Sequence, residues 1–162
     1  VQGGVNGMKN TQPIEDVRSE VYGEDKYLFP TLPALPIEAV VKVDHRVRGC
    51  PMTQIEFLKV FTALVMGKQP IEPDHSVCVD CKLNEFECVY ARGMICIGPV
   101  TRAGCEAQCP GVGQYCTGCR GLVTDPNLAG MEEIMVEHGL STEEAWKRLE
   151  LYNAGQLEGV RK

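Results

Sequence analysis

The chain has 162 residues, and its 16 basic and 22 acidic side chains give a formal net charge of −6. This length allows one modest hydrophobic core. The charges form no clustered basic face, which argues against a nucleic acid or an anionic lipid surface as the main partner. No apolar run reaches the ~18 residues of a membrane span and no secretory leader opens the sequence, so we expect a cytoplasmic protein.

Residues 1–67 are predicted to form the C-terminal part of a mixed α/β unit. Pro13–Tyr22 has helical composition, and Gly23 is placed to end that helix. A proline-rich loop is predicted over 28–36. The β-branched run Ala39–Val43 then predicts a short strand that is largely buried.

A capping box begins the next predicted helix. Thr53 is suited to the N-cap and Glu56 to the third helical position, and Gly67 closes the segment. The apolar spacing predicts an amphipathic helix of about three to four turns. The positions on its apolar side are Ile55, Leu58, Phe61, Thr62 and Val65.

Residues 126–162 are predicted to form a C-terminal helical extension. Its first helix spans Met131–His138 and ends at Gly139. Its second helix begins with the capping box Ser141–Glu144. The apolar side of this second helix carries Ala145, Trp146, Leu149 and Tyr152.

The cysteines are the most informative feature, because eight of the nine fall between Cys78 and Cys119. Their odd number and the lack of an export signal disfavour a disulfide scaffold, and such dense cysteines favour metal binding. Residues 68–125 otherwise lack apolar periodicity, which is unusual unless an inorganic group supplies the core. The spacing divides the eight thiols into two sets: Cys78, Cys81, Cys88 and Cys96, then Cys105, Cys109, Cys116 and Cys119.

Two sets of four soft ligands are typical of two 4Fe–4S clusters, which we expect loops rather than rigid elements to hold. Two zinc ions are the main alternative, because zinc ribbons also use Cys-x2-Cys pairs. Structural zinc usually combines two such pairs per ion, whereas each set here has one, so iron–sulfur is favoured over zinc and over a disulfide or mixed role. Six glycines are expected to bring backbone N–H groups to the cluster sulfides: Gly93, Gly98, Gly104, Gly111, Gly113 and Gly118.

Several motifs of the chain resemble NiFe-hydrogenase small subunits, in particular the small (delta) subunits of soluble, sulfhydrogenase-type, NAD(P)-linked NiFe hydrogenases. The resemblance spans nearly the whole chain and continues into the helix predicted over 143–153. The motifs within the cysteine region are CIGPVTRAGC over 96–105, Cys109-Pro110 and CTGCRG over 116–121. Before them lie QGGV over 2–5, EVYG over 20–23, VKVDHR over 41–46, GCP over 49–51 and VCVDC over 77–81.

The resemblance implies three parts of the chain. Residues 1–67 would be the α/β remnant of a flavodoxin-like domain, residues 68–125 a loop-rich, ferredoxin-like region stabilised by two iron–sulfur clusters, and residues 126–162 the C-terminal helices. It also implies a relay of three 4Fe–4S clusters, termed proximal, medial and distal. The matching ligands are Cys105, Cys109, Cys116 and Cys119 for the medial cluster, Cys78, Cys81, Cys88 and Cys96 for the distal cluster, and Cys50 for the proximal cluster.

The resemblance breaks down at the proximal cluster. The sequence contains Cys50 but not the other cysteines with which the family holds this cluster. Cys50 is therefore either a free buried thiol or part of a third cluster completed by ligands absent from this sequence. His75 stands where membrane-type relatives place a distal ligand, but Cys81 supplies the fourth thiolate, so His75 is interpreted as lying outside the ligand set. His45 and His138 are interpreted as surface or packing residues.

The function implied by the resemblance is electron transfer without a substrate site on this chain. Electrons would pass between the NiFe site of a large partner subunit and flavin/NAD(P)-binding or other iron–sulfur subunits. The alternatives are a stand-alone ferredoxin-like carrier and a zinc-stabilised interaction module. The face toward the large subunit is predicted at the Gly3-Gly4 turn, the 28–36 loop and the loop around Cys50.

Overall fold

The structure, a computed structural model, describes residues 14–28 and 37–157. The first helix, α1, spans Ile14–Tyr22 and is followed by a 3-10 turn over Gly23–Leu28. The predicted helix is confirmed, and Gly23 ends it in the left-handed region with φ +55°. The predicted Gly3-Gly4 turn and most of the predicted proline-rich loop lie outside the described residues.

The strand predicted over 39–43 is wrong. A 3-10 turn covers Ile37–Ala39, and the N–H groups of Val40 and Val41 both donate to the Ile37 carbonyl. Val40 is 73% and Val41 53% exposed. Within 14–28 and 37–157, β-type pairing is limited to the isolated bridges 76–102 and 101–122. A β-branched run forms a strand only where a neighbouring strand pairs with it, and the described residues supply none here.

Helix α2 spans Gln54–Val65, as the capping box predicts. The Thr53 hydroxyl accepts a hydrogen bond from the Glu56 N–H at 3.2 Å. The Glu56 carboxylate does not complete the box but accepts hydrogen bonds from Arg120. Val60 is the buried residue of α2, whereas its predicted apolar side is exposed among the described residues.

Loss of the N-cap gives a first testable prediction. We expect Thr53→Ala to lower the free energy of unfolding by roughly 0.5–2 kcal/mol, because one N–H of the first turn loses its acceptor. Ser76→Ala is the matched control, since Ser76 occupies the N-cap of a later helix without a side-chain capping bond. Urea unfolding of both variants measures the difference, and equal losses would contradict the capping role.

The cysteine-rich region contains short helices where loops were expected. Helix α3 spans Val77–Leu83, a 3-10 turn spans Val89–Arg92 and helix α4 spans Gln108–Gly111. Cys78 and Cys81 therefore lie three residues apart on one side of α3, and Cys109 lies within α4. Helical backbone rather than loop sets the spacing of the first Cys-x2-Cys pair.

The two predicted C-terminal helices are confirmed. Helix α5 spans Leu128–Glu137, three residues earlier than predicted, because Asn127 caps it by accepting from the Gly130 N–H at 2.8 Å. Helix α6 spans Thr142–Leu157, and the Ser141 hydroxyl accepts from the Glu144 N–H at 3.2 Å. None of the helices in the described ranges has the length and apolar character needed to cross a membrane.

The cysteine-rich region contributes to an apolar core. Its side chains pack with those of α5 and α6 in one cluster of buried residues. Cys96 and Cys116 belong to this cluster, so their thiols lie at the border of the apolar core. The largest fully buried apolar side chains are Val77, Ile97, Val100, Met131, Met135 and Leu149.

Candidate functional site

The first predicted set of cysteines lies together in the structure; we call it the first thiol group (Cys78, Cys81, Cys88 and Cys96). Burial raises the pKa of the Cys78 thiol to about 12, and the three other thiols add to the shift. Burial raises the pKa of Cys81 to about 11, and the nearby Cys96 and Cys88 contribute to this shift. Four thiols close enough to repel one another as anions need a positive charge between them before they all ionise.

Backbone N–H groups point at the sulfur of Cys96. The Cys116 N–H donates to Cys96 Sγ at 3.3 Å, and the Gly98 N–H is a second donor. A Cβ at Gly98 would lie 3.4 Å from Cys96 Sγ and 3.5 Å from Cys78 Sγ. A side chain here would be in ordinary van der Waals contact with these two sulfurs, and the Gly98 N–H is directed at one of them.

The other glycines serve different contacts. The Gly118 N–H bonds to the Cys116 thiol, as predicted. A Cβ at Gly104, Gly111 or Gly113 would instead meet the side chains of Arg120, Phe86 and Arg92 respectively, and a Cβ at Gly93 would meet nothing within 4 Å. These contacts concern the side that a Cβ would occupy, so the expectation that the N–H groups of these four glycines approach cluster sulfides stays a prediction.

The second predicted set also lies together; we call it the second thiol group (Cys105, Cys109, Cys116 and Cys119). Burial raises the pKa of the Cys119 thiol, and the nearby Cys105 and Cys109 raise it further. Burial also raises the pKa of Cys116, with Cys96 and Cys119 contributing. Since the Cys116 backbone donates to Cys96 Sγ, the two thiol groups adjoin.

Cys50 lies beside the second thiol group. Its backbone N–H donates to the Cys119 sulfur, and its thiol is close enough to raise the pKa of both Cys119 and Tyr152. Cys50 is exposed rather than buried, which corrects one of the two sequence interpretations. In the GCP loop, Cys50 thus lies at the surface, and its backbone N–H contacts the second thiol group.

The three histidines contact carboxylate or aromatic side chains. His75 Nε2 lies 2.9 Å from Asp80 Oδ1, and Asp80 Oδ2 accepts the Gly104 N–H at 3.4 Å. His45 Nε2 lies 3.4 Å from Glu72 Oε1, and the His138 ring packs against the Tyr90 ring. Asp80, which lies on α3, therefore contacts both His75 and the loop before Cys105.

Sequence reasoning missed three residues that support the thiols. The Tyr90 hydroxyl donates to the Cys96 carbonyl. The buried Thr101 donates to the Ile97 carbonyl at 2.6 Å, and its hydroxyl reaches the Cys116 thiol. Arg120 contacts the loops around both Cys50 and Cys105. The CTGCRG motif could have drawn attention to Arg120. The roles of Tyr90 and Thr101 depend on contacts that only folding creates.

The residues present fit iron–sulfur clusters. Within the described residues, no three Cys, His, Asp or Glu side chains form a ready-made site for a metal ion. A 4Fe–4S cluster takes one thiolate on each of four irons, and each thiol group offers four thiols. Backbone N–H groups directed at Cys96 Sγ are of the kind that support cluster ligands.

Comparison with known proteins gives relatives with hydrogenase names, and no family model matches the chain. The delta subunit of sulfhydrogenase 2 from Pyrococcus furiosus is 39% identical over 83% of this chain and 56% of its own length. The G subunit of the F420-non-reducing hydrogenase vhu from Methanocaldococcus jannaschii is 34% identical over 78% of this chain and 54% of its own length. A protein of the same name from Methanococcus voltae is 29% identical over 91% of this chain.

These similarities relate the chain to a class of oxidoreductase subunits, those of hydrogenases. Within that class, it is a relative of the delta- and G-type hydrogenase subunits, which confirms the resemblance inferred from the cysteine motifs. The chain spans about half the length of these relatives.

Proposed function

We propose that the chain is the electron-transfer part of a NiFe-hydrogenase small subunit and works in the cytoplasm. The observation that carries this proposal is the pair of adjoining thiol groups in a relative of hydrogenase subunits. Electrons would pass between the NiFe site of a large partner subunit and a flavin/NAD(P)-type or iron–sulfur acceptor subunit. The activation of hydrogen would occur on the partner chain, so no catalytic residue is proposed here.

Each thiol group would hold one 4Fe–4S cluster. The second thiol group would hold the medial cluster and the first thiol group the distal cluster. The clusters supply one-electron oxidation and reduction. This chain contributes the thiolates, the N–H groups that bond to Cys96 and Cys116, and the apolar core that limits access of water. The contact between Cys116 N and Cys96 Sγ offers a short covalent and hydrogen-bonded path between the two groups.

Cys50 is proposed as a ligand of a third, proximal cluster whose other ligands are absent from this sequence. The exposure of its thiol suits a cluster completed from outside the described residues. Met52 and Ile55, which follow Cys50 in the chain, are also exposed apolar residues. Such a surface fits burial against the proposed large subunit.

Metal and sulfide analysis of the purified complex tests this function. We expect about eight iron and eight sulfide ions per copy of this chain, in addition to any proximal cluster, because each complete thiol group binds four of each. Cys50→Ser is the matched control, since it removes a cysteine outside both groups and should leave these ions in place. Two zinc ions with negligible iron would contradict the proposal in favour of a zinc-stabilised module. Full iron content without a copurifying large subunit would favour a stand-alone carrier.

A further inference from the structure

Arg120 is a buried cation between the Cys50 loop and the second thiol group. It directly follows Cys119 in the sequence and is only 3% exposed. Its guanidinium lies near enough to Cys105 and Cys119 for the charges to interact. A buried cation at this position requires several partners, because desolvation opposes the charged form.

The partners of Arg120 come from three separate segments. Nε donates to the Ala103 carbonyl at 2.8 Å, two residues before Cys105. One Nη donates to the Arg48 carbonyl at 3.0 Å, two residues before Cys50. Both Nη atoms form a bidentate pair with the Glu56 carboxylate on α2. Arg120 thereby holds the segment before Cys105, the segment before Cys50 and helix α2 in fixed positions around its guanidinium.

Two glycines leave the space that the guanidinium occupies. A Cβ at Gly104 would lie 2.5 Å from one Nη of Arg120, and a Cβ at Gly49 would lie 3.3 Å from the other. Both glycines also have positive φ, +113° and +120° respectively. Gly104 therefore leaves room for the planar group of Arg120, whereas a Cβ at Gly49 would first meet the backbone of Pro51 at 3.0 Å.

We propose that Arg120 is a positioning residue that clamps the Cys50 loop to the second thiol group and favours the reduced state of the cluster held there. The effect on the reduction potential rests on the proposed function, whereas the clamping of the Cys50 loop does not. A cluster gains one negative charge on reduction, and a desolvated cation beside its ligands stabilises that charge. The carboxylate of Glu56 opposes this stabilisation in part, so the reduction potential depends on the charges of both Arg120 and Glu56.

The charge effect predicts shifts of opposite sign for two substitutions that each remove one charge. Arg120→Gln removes the cation and should lower the reduction potential of the cluster in the second thiol group. Glu56→Gln keeps the cation, removes the opposing carboxylate and should raise that potential. A structural disturbance alone would weaken the same hydrogen bonds in both variants and would not produce shifts of opposite sign.

The experiment is a redox titration of the complex followed by electron paramagnetic resonance, with hydrogen exchange of the Cys50 amide as a second measurement. Arg120→Lys keeps the charge without the fork, so the potential should stay near the wild-type value. The Cys50 amide should exchange roughly tenfold or more faster in Arg120→Gln and Arg120→Lys, since charge-assisted hydrogen bonds hold its loop. The control is Arg102→Gln, another buried arginine, which pairs with Asp74 and donates to the Pro73 carbonyl. It should change neither quantity.

Several outcomes would overturn the inference. Unchanged potentials in both Arg120→Gln and Glu56→Gln at full iron content would exclude the charge effect. Equal shifts in the cluster of the first thiol group would exclude a local origin. Unchanged exchange of the Cys50 amide would exclude the clamp, and the exchange rates of wild type and variants can be compared whether or not iron is bound. A wild-type complex without iron would instead refute the proposed function, while the exchange measurement would still decide the clamp.

Discussion

A Cys81→Ser complex is expected to lose reduction of the proposed nucleotide acceptor while keeping proton–deuterium exchange at the proposed NiFe site. Cys81 belongs to the first thiol group, the proposed exit end of the relay. Serine is nearly isosteric, but its hydroxyl is a harder and far less acidic ligand, so one iron becomes labile. Loss of a residue that only supports a metal ligand lowers metal affinity or activity roughly 10–100-fold. Loss of a direct ligand should lower nucleotide reduction by more than that.

Cys105→Ser is the reciprocal variant, because Cys105 belongs to the second thiol group. Electron paramagnetic resonance of both variants should show loss of a different cluster in each, with the other cluster retained. Exchange at nickel needs no outgoing electron and should survive in Cys81→Ser. If that variant assembles normally but loses exchange as completely as nucleotide reduction, the placement of the first thiol group at the exit end is wrong.

Leu149→Ala is expected to destabilise the folded chain strongly. Leu149 is fully buried on α6 and packs in the cluster that includes Cys96 and Cys116. Truncation should lower the free energy of unfolding by about 2–5 kcal/mol through lost burial and the cavity left behind. The loss should also loosen the thiols that border the core and increase the rate at which iron is released.

Leu83→Ala is the matched control, because Leu83 is 76% exposed at the end of α3. Its cost should stay within about 0.5 kcal/mol. Urea unfolding followed by the fluorescence of Trp146, the single tryptophan of the chain, measures both variants. Similar midpoints for the two variants would show that the core around α6 does not stabilise the cysteine-rich region.

The sequence by itself determined the features that depend on neighbours along the chain. The capping residues Thr53 and Ser141 predicted the starts of α2 and α6, because the N-cap hydrogen bond joins residues three apart. The cysteine spacing divided eight thiols into two sets, and the structure places members of each set near one another while Cys116 also neighbours Cys96. The motifs around those thiols were specific enough to predict the hydrogenase relatives.

Only the tertiary structure decided the features that depend on distant partners. The run 39–43 had the composition of a strand, but strand formation requires a second strand that the sequence pattern cannot supply. Glu56 completed a capping box in sequence, yet its carboxylate binds Arg120, which is 64 residues away. The backbone contact of Cys50 with Cys119 likewise joins segments far apart in the chain. Local spacing specifies helices and ligand sets, whereas the contacts between loops are decided when the shared core brings them together.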